Sequence, residues 1–179
     1  QYRDETGDSR PHISIVCNFT KPTKTRPSLL TFNEVTTLFH EFGHALHGIL
    51  ARGIYETLSG TSVYWDFVEL PSQIFENWCY EKECLDLFAI HYQTGEKIPA
   101  DLIQRIKDAA NFQQGYLTVR QISFGLLDMA YHGQDPSQIQ NIREFETEIM
   151  KKTDVLPRTP GTMMSTSFSH IFQGGYSSG

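Results

Sequence analysis

Between Val35 and Leu50 apolar side chains recur every three or four residues: Val35, Leu38, Phe39, Phe42, Leu46, Ile49 and Leu50. At about 100° per residue they fall in one stripe roughly 120° wide, the pattern of an amphipathic helix with a face to bury. His40, Glu41 and His44 project from the other side, in the run His-Glu-Phe-Gly-His. Histidines at i and i+4 stand one above the other on a helix, with β-carbons about 5–6 Å apart. Both imidazoles can then reach one Zn²⁺ at roughly 2.0–2.1 Å, and the neighbouring glutamate is placed to take a proton from a metal-bound water. A histidine that only filled space would lie on or beside the apolar stripe. The spacing predicts a helix over about 33–51, with Asn33 as its N-cap and Gly53 as its stop.

His47 shares the polar face but lies seven residues from His40, about 10.5 Å along the axis. One tetrahedral ion is not shared across that span, and the longer metzincin pattern wants Gly at 47 and His at 50, where this chain has His47 and Leu50. His47 is read as a polar or packed neighbour. A catalytic zinc needs a third protein ligand and an open position for water, and Glu56, Glu69, Glu76, Glu81 and Glu83 all follow. Glu69 is favoured, because it sits among Phe67, Val68 and Leu70, where a carboxylate is costly to bury without a cation or hydrogen bonds. Pro71 suits the first turn of a following helix. Glu76, Glu81 and Glu83 read as a solvated face and Glu56 as a surface ion-pair partner. Asp66 is placed either to hold a ligating histidine from behind or to cap a helix.

The run Leu38-Phe39-His40-Glu41-Phe42-Gly43-His44-Ala45-Leu46-His47-Gly48 resembles the zinc helix of the thimet oligopeptidase family. Ser59-Gly60-Thr61, Asp66 to Gln73, and Phe168 to Tyr176 resemble three further signatures of that family, in the same order. Val16 to Pro22 is closest to its bacterial peptidyl-dipeptidases. The resemblance implies a mainly α fold with a short β segment, the zincin-like catalytic core of a thimet-oligopeptidase-type enzyme. It implies one Zn²⁺ per chain held by His40, His44 and Glu69, with Glu41 as general base. It also implies that His170 and Tyr176, in a glycine-rich loop, bind the substrate backbone and support the oxyanion. The implied activity is hydrolysis of short peptides by a metal-activated water, with release of C-terminal dipeptides. An endopeptidase of the same family, or a metal-binding but inactive homologue, is the alternative. Intact Glu41 argues against inactivity, since a purely structural site has no use for a base. Arg158 is a candidate for gripping a substrate carboxylate, with a solvated surface arginine as the plainer reading.

Residues 1–179 read as a single piece of a larger zinc metallopeptidase catalytic domain, expected to bind zinc but to turn over little peptide by itself. The full-length protein is expected to be a monomer. With 39% hydrophobic residues and no apolar run near the roughly 18 residues of a membrane span, no membrane partner is expected. A net charge of −6 without a basic cluster gives no electrostatic footprint for nucleic acid. Cys17, Cys79 and Cys84 show no Cys-x-x-Cys spacing, which argues against a disulfide scaffold. The cytoplasm is the expected compartment, with the periplasm as the alternative. Besides the zinc helix, helices are expected over about 66–92, 99–113, 116–132 and 136–151. A strand is expected over 13–19, where an exposed edge could pair with extended substrate.

Overall fold

The segment that carries His40 and His44 forms α1, Phe32–Leu50, and its start shows how the local sequence sets the boundary. Thr31, in extended conformation, is the N-cap: its hydroxyl accepts from the Glu34 N–H, and the Glu34 carboxylate accepts from the Thr31 N–H at 2.7 Å. This reciprocal box satisfies two of the donors that a helix N-terminus leaves bare. Asn33, expected to be the cap, is one residue inside the helix, where its carbonyl accepts from the Thr36 and Thr37 hydroxyls. The helix ends at Ala51 rather than Gly53. The computed structural model describes residues 2–4 and 7–173, and strand among them is confined to a hairpin and one isolated bridge.

The chain divides into two compact units, Gln1–Asp108 and Ala109–Gly179. In the first, β1 (Tyr2–Asp4) pairs antiparallel with β2 (Gly7–Ser9). The strand expected over 13–19 does not form. Ile15, Cys17 and Phe19 alternate with more exposed neighbours as a strand would, but the segment has no ladder partner among the described residues. The Ile13 side chain instead packs on Gly48 of α1. A single long helix over 66–92 is also not found. The chain runs through α2 (Trp65–Val68), α3 (Leu70–Glu76), a 3₁₀ turn (Asn77–Tyr80) and α4 (Lys82–Leu85). Pro71 has no N–H to continue α2, so the helix restarts with Glu69 at the cap of α3 and Pro71 in its first turn. Glu81 then turns extended and interrupts the path again. An isolated bridge between Ile90 and Lys97 closes the turn before α5 (Ala100–Ala110).

Helix α1 packs along α3, with Gly43, Ala45, Val68 and Ser72 buried. Phe39 stacks on Phe75 at 5.4 Å and meets Phe88 at 5.7 Å. The apolar stripe is covered only in part: Ile49 and Leu50 at its C-terminal end are exposed.

In the second unit, α6 (Gln114–His132) packs against α7 (Ile142–Met150), and α8 (Met164–Ser167) follows. Asn141 accepts from the N–H groups of Arg143 and Glu144, so α7 begins there and not at 136; Pro136–Gln138 is a separate 3₁₀ turn capped by Asp135. Leu127, Met150 and Ile171 form the core, with Tyr131, Met164 and Phe168 packed around it. At its side Glu146, 1% exposed, accepts from Arg158 at 2.9 Å, from the Met164 and Ser165 N–H groups at 2.8 Å, and from the Ser165 hydroxyl. One buried carboxylate thus ties the loop after α7 to the helix. Burial pushes its carboxyl up, but the bonds from Ser165, Met164 and Arg158 outweigh this and hold it below the usual range.

Candidate metal centre

Two features of the sequence build the centre: the i, i+4 histidines on α1, and the restart of the chain at Glu69, which turns a carboxylate toward them. His40 Nε2 and His44 Nε2 each lie 3.1 Å from the same oxygen, Glu69 Oε2. The two imidazoles are 4.9 Å apart and nearly perpendicular. Among the described residues, His40, His44 and Glu69 form a group able to hold a metal ion, with ligand atoms within 4.8 Å of one another. Bonds of about 2.0–2.1 Å in tetrahedral array place ligand atoms roughly 3.3 Å apart, so the spacing fits a zinc-sized ion. His44 Nδ1 is also buried without a partner. Two imidazole nitrogens and one carboxylate oxygen are the donor set of catalytic zinc sites that keep a fourth position open.

The reach of Glu69 has a different cause from the one expected. Of the three apolar neighbours only Val68 is buried, and Phe67 and Leu70 are exposed, so the apolar run does not by itself enclose the carboxylate. Its position comes from the close approach of the helices. A β-carbon on Gly43 would stand 2.6 Å from Ser72 Cα and 2.7 Å from Pro71 O, so only glycine lets α1 and the start of α3 meet this closely. Ser72, fully buried, has its hydroxyl 2.7 Å from Glu69 Oε2 and 2.9 Å from the Glu69 carbonyl. Gly60, at φ +60°, turns the Ser59-Gly60-Thr61 segment against Gly48 of the same helix.

Glu76 is the residue that sequence reasoning misplaced. It does not belong to a solvated face: its Oε1 lies 2.7 Å from His40 Nδ1. The signal was its seven-residue spacing from Glu69, two helical turns along one face. Glu81 and Glu83 are exposed as expected, Glu81 pairing with Lys107 at 3.3 Å. Asp66 is not an N-cap, a place taken by Tyr64. His47 lies outside the ligand group and sets its ring edge against Phe67 at 6.0 Å. Glu41, next to His40 in the chain, is half-buried, its carboxylate in no ion pair among the described residues.

His170 belongs to the second unit, exposed in the 3₁₀ turn Ser169–Ile171 with its ring edge-on to Phe168 at 5.2 Å. Tyr176 lies outside the described residues. Arg158 is neither a free surface arginine nor an open carboxylate grip, since its guanidinium is engaged by buried Glu146 and lies 3.8 Å from Asp154.

The model of Peptidase family M3 matches residues 2–179. The chain belongs to this family. Oligopeptidase A of Salmonella typhimurium is 44% identical over 172 residues, 95% of this chain and 25% of that protein. Dipeptidyl carboxypeptidase of the same organism is 44% identical over 174 residues, 96% of this chain and 26% of that protein. A thimet-like oligopeptidase of Dictyostelium discoideum is 42% identical over 168 residues, 93% and 25% respectively. This M3 chain therefore spans about a quarter of the length of the curated relatives it matches. No helix among its described residues is long and apolar enough to cross a membrane.

Proposed function

We propose that this M3 chain carries the zinc centre of a peptidase that hydrolyses short peptides, with His40, His44 and Glu69 as the ligands. The observation that carries this reading is the convergence of two imidazole nitrogens on one carboxylate oxygen at 3.1 Å. Zinc held there supplies a Lewis acid for the scissile carbonyl and lowers the pKa of a bound water to about 7. Glu41, one residue from His40 and with an uncommitted carboxylate, takes the proton of the attacking water and returns it to the leaving amine. Ser72 orients Glu69, leaving the carboxylate fewer ways to turn away from the histidines. What supports a role for His170 and Tyr176 in binding substrate backbone is the resemblance of Phe168 to Tyr176 to the family's glycine-rich loop.

Release of dipeptides from free C-termini is the cleavage mode proposed for the whole protein. Endopeptidase action is the second reading, kept beside the first because the chain is equally similar, at 44% identity, to an oligopeptidase A and a dipeptidyl carboxypeptidase. The whole protein is proposed to act as a monomer in the cytoplasm, a compartment that suits the three free cysteines of this chain.

Zinc uptake by the chain tests the centre. Glu69→Gln should weaken binding sharply and Glu81→Gln should leave it unchanged; equal effects would sink the ligand assignment. In the full-length protein, Glu41→Gln should keep its zinc while losing about 10²–10⁴-fold in hydrolysis. Mass spectrometry of products from matched peptides with free and amidated C-termini separates the modes. Equal cleavage of both would favour the endopeptidase.

A further inference from the structure

His40 and His44 face the same oxygen of Glu69 with their Nε2 atoms, but behind the rings their surroundings differ. His40 Nδ1 meets Glu76 Oε1 at 2.7 Å, whereas His44 Nδ1 is buried with no partner. The ring of His40 is thus held at both nitrogens by carboxylates from α3, Glu69 in front and Glu76 behind. A neutral imidazole has one N–H and one lone pair, and the hydrogen bond at one nitrogen decides the role of the other. A carboxylate can only accept. Both nitrogens of His40 face carboxylate oxygens and a neutral ring has one N–H, so with a cation between Nε2 and Glu69 the proton stays on Nδ1 toward Glu76 and the Nε2 lone pair faces the ion.

We propose that Glu76 is a positioning residue of this metal centre, holding His40 as the Nδ1–H tautomer with its Nε2 lone pair turned to the ion. The inference rests on the zinc reading given above and adds an asymmetry to it. His40 is the ligand whose orientation and basicity are reinforced from behind, whereas His44 meets Glu69 through Nε2 and has no polar partner at Nδ1. Such carboxylate partners orient ligating histidines and raise their donor strength. Where α3 ends also favours the role. Glu76 is the last residue of that helix, and Cys79 in the next turn is fully buried, so the carboxylate projects from an anchored backbone. The competing account makes Glu76 a simple tie between α1 and α3. That account puts its effect on the stability of the metal-free chain, whereas positioning puts it on metal affinity.

The experiment titrates the metal-free chain with Zn²⁺ against a chromophoric chelator, alongside urea unfolding of the same metal-free samples. Glu76→Gln keeps the shape of the side chain and an accepting oxygen but removes the charge. Glu76→Ala removes both. Glu76→Gln is expected to bind zinc about 10–100-fold more weakly, and Glu76→Ala more weakly still. Glu83→Gln, on the exposed part of α4, should match the parent. Affinities of both variants within about threefold of the parent, or losses fully matched by lower metal-free stability, would overturn the role of Glu76. Failure of the unsubstituted chain to bind zinc would overturn the metal reading itself.

Discussion

Replacing Gly43 with alanine reports directly on the geometry that brings the ligands together. An added β-carbon would lie 2.6 Å from Ser72 Cα, 2.7 Å from Pro71 O and 3.1 Å from Phe75 Cβ. The two nearest atoms are backbone, so no rotamer change relieves them. Ordinary contact begins at 3.4 Å, and the helices must part until the shortest of these distances opens from 2.6 Å to that value. His40 and His44 ride on α1 and Glu69 on the start of α3, so the same opening stretches the 3.1 Å spacing of their ligand atoms. It passes the roughly 3.3 Å edge that bonds of about 2.0–2.1 Å define. In an exposed helix, glycine to alanine would stabilise by about 1 kcal/mol. Here overpacking costs about 1–3 kcal/mol and opposes that gain. Gly43→Ala is therefore expected to lose stability in urea unfolding and to bind zinc about 10–100-fold more weakly, the range found when ligand orientation is disturbed. A variant that gained about 1 kcal/mol and bound zinc like the parent would refute the close approach.

Further outcomes follow from charged groups with defined partners. Glu146→Gln should destabilise the second unit by about 3–5 kcal/mol. Each carboxylate oxygen accepts from two donors, Oε1 from Arg158 and Met164 and Oε2 from Ser165, and the amide must point its NH₂ at one pair. Urea unfolding measures the loss, and a change below about 1 kcal/mol would count against the clamp. The Glu34 carboxyl is lowered from 4.5 to about 2, first by the Thr31 N–H and then by the Thr20 hydroxyl. With the folded value depressed, its stabilisation is complete above pH 4.5 and disappears as pH falls toward 2. The difference in urea midpoint between the parent and Glu34→Gln should shrink over that window, and a constant difference would refute the capping role.

How far the chain could be read without its fold depends on the range of each interaction. The i, i+4 placement of His40 and His44, the position of Glu41 beside them and the mainly helical character are local properties of one helical period, and they stand in the linear sequence. The predicted boundaries missed where a different local device won: the box of Thr31 and Glu34 displaced Asn33, and Asn141 displaced Pro136 as a start. The break of the expected 66–92 helix at Glu69 was signalled by Pro71, and that break is what frees the carboxylate. The strand over 13–19 failed for another reason, since alternation specifies a face but cannot supply a partner. The apolar run around Glu69 points to the right carboxylate, although of its neighbours only Val68 is buried, and Glu76 meets His40 instead of lying on a solvated face. Neither placement is a local property. Which carboxylates of α3 meet which nitrogens of α1 is decided by how closely two helices approach, and that distance is set where the bare Cα of Gly43 rests against the backbone of Pro71 and Ser72.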